Sequence, residues 1–93
     1  MIIDLAGSTT KVAIHQDFER QLGFPDFYGA NWDTFWDAIT GLVEMPDEVL
    51  LVNWQGFAKS CPKDMQILRE IISEYHALLP AKRILFLGDR ASS

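Results

Sequence analysis

Val49-Leu50-Leu51-Val52-Asn53-Trp54 is the stretch on which the fold turns. It is β-rich and apolar on both faces for most of its length, the pattern of a strand lying inside a sheet covered on both sides. Upstream, Met45-Pro46-Asp47 breaks a helical pattern, and downstream Gln55 to Ser60 suits a short helical turn carrying Phe57. Two further apolar runs, Met1–Leu5 and Arg83–Leu87, read as strands of the same kind. Parallel neighbours need crossover connections, usually helices. The order strand, helices, strand, helix, strand therefore predicts a small α/β domain, with a three-stranded parallel sheet flanked by helices.

The helices are marked by their ends. Thr9 and Thr10 can cap a first helix whose apolar positions Ile14, Phe18 and Leu22 recur every four residues. Gly23 stops it, and Pro25 prevents continuation. Asn31 is an N-cap for a second helix, expected from Trp32 to about Val43. Pro62 suits the first position of a last helix, and Asp64 favours its positive end. Met65, Leu68, Ile71, Ile72, Tyr75 and Leu79 form its apolar stripe before Pro80. Met45, Trp54, Phe57 and Met65 read as core, and Gly88 to Ser93 as a frayed tail.

Ninety-three residues, 48% hydrophobic and 23% charged, suit one globular domain spanning residues 1–93. No apolar run approaches the ~20 residues needed to cross a bilayer. The opening Met1–Gly7 has no basic leader, and the single Cys61 cannot pair within the chain, so a reducing cytoplasm is the expected compartment. A net charge of −5 argues against nucleic acid as a direct ligand and favours a basic partner. The charge is also uneven. Gln21 to Ala58 holds six acids and no Lys or Arg, a local charge of −6, while the remainder is +1.

The densest part of that stretch is Asn31-Trp32-Asp33-Thr34-Phe35-Trp36-Asp37. On a helix turning about 100° per residue, Phe35, Ile39 and Val43 share one stripe, with Ala38 and Leu42 near it. Asp33, Trp36, Asp37 and Thr40 share another. Two acids one turn apart repel by roughly 0.2–0.5 kcal/mol. The helix dipole offsets this for Asp33, in the first turn, but hardly for Asp37. Unpaired acids around an indole suggest a surface shaped for something positive.

The run Phe24-Pro25-Asp26-Phe27-Tyr28-Gly29-Ala30-Asn31-Trp32-Asp33-Thr34-Phe35-Trp36-Asp37-Ala38-Ile39-Thr40-Gly41 closely resembles the central segment of the barstar family, intracellular inhibitors of ribonucleases. The shared pattern is apolar-Pro-acid-aromatic-Tyr-Gly-x-Asn-x-Asp-x-x-Trp-Asp-x-x-Thr-Gly, followed by Val43-Glu44-x-Pro46. Weaker similarity continues through Leu51–Phe57, the last helix and the final strand. The resemblance implies a surface made from the loop Phe24–Ala30 and the second helix, which enters the active-site cleft of a secreted, basic, barnase-like ribonuclease. Carried over by motif position, Asp37 would be the central acid facing the pocket that normally holds an RNA phosphate. Asp33 would pair with a basic group at the cleft rim. Phe27 takes the place of the family's loop aromatic, while Trp36, Thr40, Gly41 and Glu44 fall on contact positions. Gly29 and Asn31 would chiefly shape the loop. The chain departs from the family prototype where Phe27 replaces Tyr, Leu42 replaces Trp and Ala38 replaces Cys. A contacting Glu of the last helix aligns near Ser73 and Glu74 without a fixed register.

The implied function is a monomeric, stoichiometric inhibitor, one-to-one with its ribonuclease, with no catalytic residues, metal or cofactor of its own. Two rivals remain at this point. Asp33 and Asp37 could form an acid/base pair or chelate a cation, although nothing nearby in sequence supplies further oxygen ligands. Alternatively, the fold could bind a different basic protein or nuclease toxin. His15 and His76 stand apart from any Cys, Ser or second His, and Cys61 has no basic cluster beside it.

Overall fold

The computed structural model describes residues 1–24 and 31–88, apart from the side chain of Leu42. Its elements run β1 (Ile2–Asp4), α1 (Lys11–Leu22), α2 (Trp32–Asp37), a π-helical turn (Ala38–Leu42), β2 (Glu48–Val52), α3 (Gln55–Ser60), α4 (Pro62–Leu78) and β3 (Arg83–Phe86). The strands form one parallel sheet, as expected, and its order is β1-β2-β3. The expected tail from Asp89 onward and the loop Pro25–Ala30 lie outside the described residues.

Each helix starts and stops for a local reason. Thr10 accepts the Ala13 N–H at 3.1 Å and opens α1. Gly23 closes it with φ 71°, a left-handed conformation that glycine adopts without a side-chain penalty. Pro62 occupies the first turn of α4, where a missing N–H costs nothing. β2 is shorter than its apolar pattern suggests. Asn53 turns left-handed at φ 58° and takes the chain out of the sheet before Trp54, which sits at the start of α3. The Asn53 amide donates to Asp4 at 2.9 Å, and this bond, with the Ala6 N–H, holds the Asp4 carboxyl below its usual pKa.

Coverage of the sheet corrects the expectation that both faces are buried. Ile3, Val49, Leu51 and Ile84 point into a core with Ile14, Phe18, Phe35, Ile39, Phe57, Leu68 and Tyr75. The opposite face carries the row Ile2, Leu50 and Leu85, paired strand to strand. Ile2 is 65% and Leu85 38% exposed, so among the described residues this face has no helical layer. The apolar pattern on both faces therefore reflects β-propensity as much as burial.

Both outer edges of the sheet are occupied by side chains. At β1, the Asp4 N–H donates to Gln21 Oε1 at 3.3 Å and Gln21 Nε2 donates to the Asp4 carbonyl at 3.2 Å, an amide standing in for a fourth strand. At β3, the Ile84 N–H donates to His76 Nε2 at 2.9 Å. Arg69 lies over the rings of Trp54 and Phe86, 5.1 and 4.7 Å from their centroids, and Trp54 Nε1 donates to the Leu87 carbonyl at 2.9 Å. These contacts fasten α3 and α4 to the end of β3.

The Tyr75 hydroxyl is fully buried with no hydrogen-bond partner among the described residues, and burial pushes its pKa up. An unsatisfied buried hydroxyl costs roughly 1–3 kcal/mol of desolvation. Tyr75→Phe is therefore expected to leave stability unchanged or raise it by up to about 1 kcal/mol in urea denaturation. A loss larger than that would reveal a partner for the hydroxyl.

Candidate functional site

The candidate surface is built on α2, and α2 is held by its buried side. Asn31 accepts the Thr34 N–H at 2.8 Å, so its role is that of a helix cap. Trp32 and Phe35 are buried and meet edge-to-face at 5.5 Å. The His15 ring packs tilted against Trp32 at 4.4 Å, and Phe18 and Phe24 close on Phe35 at 4.8 and 6.0 Å. Trp32 Nε1 then reaches across to Asp64 in the first turn of α4, at 3.1 Å. One indole thus ties α2 to both α1 and α4.

With Trp32 and Phe35 directed inward, Asp33 is exposed and Asp37 lies on the same outward side. Neither forms an ion pair with any described residue. The basic side chains nearest in chemistry are used elsewhere. Arg20 binds Asp17 at 2.6 Å, and Lys82 donates to the Met45 carbonyl at 2.6 Å while lying 3.6 Å from Asp47. Lys82 therefore offsets part of the acidic stretch at Asp47, away from α2.

Trp36 is half-buried between α2 and α4. With Trp32, Asp33, Asp37, Ile71 and Glu74 it lines a shallow depression of about 390 Å³. The apolar pattern puts Ile71 on the core stripe of the last helix, and the family motif leaves the register of a contacting Glu open between Ser73 and Glu74. The structure places both Ile71 and Glu74 at the seam, where Glu74 adds a third carboxylate beside the indole. The packing of α2 against α4 creates that neighbourhood, since 34 to 42 positions of sequence separate these groups. A larger hollow of about 590 Å³ lies beside Ala6–Ser8 and α1. There Ser8 donates to Asp17, which is paired with Arg20. Among the described residues, the hollow's one basic side chain is thus taken up by Asp17, whereas the smaller depression gathers three carboxylates around an indole and no basic residue.

The C-terminal half of the expected second helix differs from a regular α-helix. α2 ends at Asp37, and Ala38–Leu42 forms a π-helical turn in which the Val43 N–H reaches the Ala38 carbonyl, five residues back, at 3.1 Å. Val43 itself is extended, so it does not continue the helix as expected. Ala38 and Ile39 are buried as the core stripe requires, Thr40 is half-buried, and Gly41 and Glu44 are exposed. Phe27 and Gly29 lie outside the described residues. Asn31, Asp33, Trp36, Asp37, Thr40, Gly41 and Glu44 are thus carried on one continuous segment. Among the described residues, no group of three or more His, Cys, Asp or Glu side chains converges as a metal site would require. No helix among them is long and apolar enough to cross a membrane.

Residues 1–87 match the family described as Barstar (barnase inhibitor). The chain belongs to the barstar family. A protein of Bacillus subtilis (strain 168) named "Putative ribonuclease inhibitor YrdF" is 38% identical over 55 residues, which cover 59% of this chain and 60% of that relative. The chain thus spans about 60% of the length of the curated relative it matches. The barstar fold expected from the Phe24–Gly41 motif is the architecture observed: three parallel strands with helices packed against the sheet.

His15 gives the barstar-family core a pH dependence. Burial, reinforced by Lys11 and opposed by Asp64, lowers its pKa from 6.5 to about 4. Above pH 6.5 the ring is neutral in both folded and unfolded chains. Between there and about pH 4, the unfolded chain takes up a proton that the folded chain refuses, so stability falls as pH falls. The loss at one fully buried site would approach 2–3 kcal/mol, at about 1.4 kcal/mol per pKa unit. Urea titrations at pH 7.5 and 4.5 are expected to show a smaller drop for His15→Gln than for the wild type; equal drops would refute the assignment.

Proposed function

We propose that this chain is a stoichiometric protein inhibitor of a basic, barnase-like ribonuclease, acting as a monomer in a one-to-one complex in the cytoplasm. The observation that carries the reading is the pair of unpaired acids, Asp33 and Asp37, flanking Trp36 on a helix otherwise buried by Trp32 and Phe35. An enzyme that binds RNA must concentrate positive charge where phosphates sit. A rigid acidic ridge can occupy that cleft in place of the substrate backbone. Complementary charge raises the encounter rate, and close pairs slow dissociation once water is excluded. Trp36 contributes a large, stiff surface at the centre of the acids, and Glu74 extends the negative charge to the α4 side. No chemical step is required of the inhibitor. Its action is steric and electrostatic occupation of the enzyme's site.

The family match and the relative's name support this reading, and so does the motif that carries Asp33, Trp36 and Asp37 onto contact positions. Phe27, Gly29, Asn31, Thr40, Gly41 and Glu44 complete the proposed surface. Phe27 and Leu42, which depart from the family pattern, are the positions at which selectivity between ribonucleases would be set.

The direct test is titration of basic bacterial ribonucleases with the protein. Inhibition should saturate at one equivalent and weaken with salt. Asp37→Ala should weaken it more than Asp33→Ala, each by a factor of about ten or more for a desolvated charge pair. Such ranges were established partly on a complex of this family, so the ranking is the prediction made for this chain. Absence of inhibition across the panel would defeat the proposal.

Gly41 offers a second, independent check. Its φ is not left-handed, and a methyl group added there meets no atom within 4 Å beyond its own turn. The fold therefore tolerates alanine, which should raise stability by about 0.5–1 kcal/mol. If a partner closes on this bare backbone, Gly41→Ala should bind more weakly while melting higher. Unchanged affinity would remove Gly41 from the interface.

A further inference from the structure

The segment that carries the acidic surface changes pitch part-way along, and one side chain sits at the change. Thr40 Oγ1 donates to the Trp36 carbonyl at 2.6 Å, four residues back. A hydroxyl bound to a helical carbonyl competes with the backbone ladder and bends the helix outward. Beyond this point the ladder has slipped, with the Val43 N–H bonded to the Ala38 carbonyl. Gly41 lies within the slipped turn.

The slip has a geometric consequence for the surface. On a regular helix Asp37 and Glu44 would be seven residues apart and nearly in line. A π-helical turn accommodates about one extra residue, which rotates the residues beyond it by roughly 100° relative to an α-helix. Gly41 lies within that turn, and the chain leaves it through the extended Val43, so the place from which the backbone departs toward Glu44, relative to the Asp33–Trp36–Asp37 face, depends on whether the ladder has slipped. The π-helical geometry is often found at functional sites.

We propose that Thr40 is a positioning residue of the recognition surface: its hydroxyl, held on the Trp36 carbonyl, keeps the turn Ala38–Leu42 in its slipped register and so sets where Gly41 and Glu44 lie relative to the acids. What the surface meets rests on the inhibitor reading above; how Thr40 shapes it does not. The position matches a contact position of the family motif, and the structure assigns it an indirect role, because the hydroxyl is already engaged within the chain.

The experiment pairs Thr40→Val, which keeps the shape and loses the donor, with Thr40→Ser, which keeps the donor. In the free protein, trans-hydrogen-bond scalar couplings measured by NMR should connect the Val43 nitrogen to the Ala38 carbonyl carbon in the wild type and in Thr40→Ser. In Thr40→Val that coupling should vanish in favour of the four-residue spacing. Against a ribonuclease inhibited by the wild type, Thr40→Val should bind about tenfold more weakly and Thr40→Ser within about twofold. Thr40→Ala serves as the donor-less variant should Thr40→Val not fold. A donor-less variant that keeps the Ala38–Val43 coupling yet loses affinity would make Thr40 a direct contact and overturn the proposal. Loss of the coupling with unchanged affinity would overturn it equally, since the turn would then orient nothing that matters. If the wild type binds no ribonuclease, the inhibitor reading fails and takes the recognition half with it, whereas the coupling still decides whether the hydroxyl holds the turn.

Discussion

The indole of Trp32 is the fastening on which the surface depends. α2 is only six residues long, too short to persist as a helix by its own hydrogen bonds. It is held because Trp32 sits against the His15 ring on one side and donates to Asp64 on the other, while Phe35 fills the space beside Phe18. Burying these aromatics leaves Asp33 and Asp37 no direction but outward. The like-charge repulsion between them is a few tenths of a kcal/mol, small against the burial of two aromatic side chains at about 1.5–3 kcal/mol each. Packing therefore holds in place an arrangement of charge that the isolated segment would resist.

The same economy appears in the sheet. Its strands are short, and its core face is closed by helices while the other face remains open. Rigidity comes from the helices' grip on the edges and ends: Gln21 on β1, His76 on β3, and Arg69 over Trp54 and Phe86. That grip matters for the proposed recognition surface, because α4, which supplies Ile71 and Glu74, is also the helix that holds β3 and receives the Trp32 hydrogen bond.

Much of this could be read from residue order because the informative signals are local. The caps Thr10 and Asn31, the stop at Gly23 and the start at Pro62 act within a turn or two of themselves, so pattern alone locates the helices. The acids of α2 were legible for the same reason, as were the buried Phe35 and Ile39. What escaped was set by packing or by competition within the backbone. The end of α2 at Asp37 depends on a side chain competing for a main-chain carbonyl, which a fixed angle per residue does not represent. The open sheet face could not be distinguished from a buried one, because Ile2, Leu50 and Leu85 look equally apolar in either setting. Ile71 and Glu74 belong to the surface only through the meeting of two helices distant in the chain.

The Gln21 amide, bonded at once to the N–H and the carbonyl of Asp4, carries a consequence for how this molecule lives at high concentration. An outer strand already matched with a side chain gives an incoming chain little ladder to extend. With His76 engaging the opposite margin, lateral growth of sheet upon sheet is discouraged at both ends. Encounters with other macromolecules are thereby steered toward surfaces on which side chains rather than main-chain polarity decide which neighbour is retained.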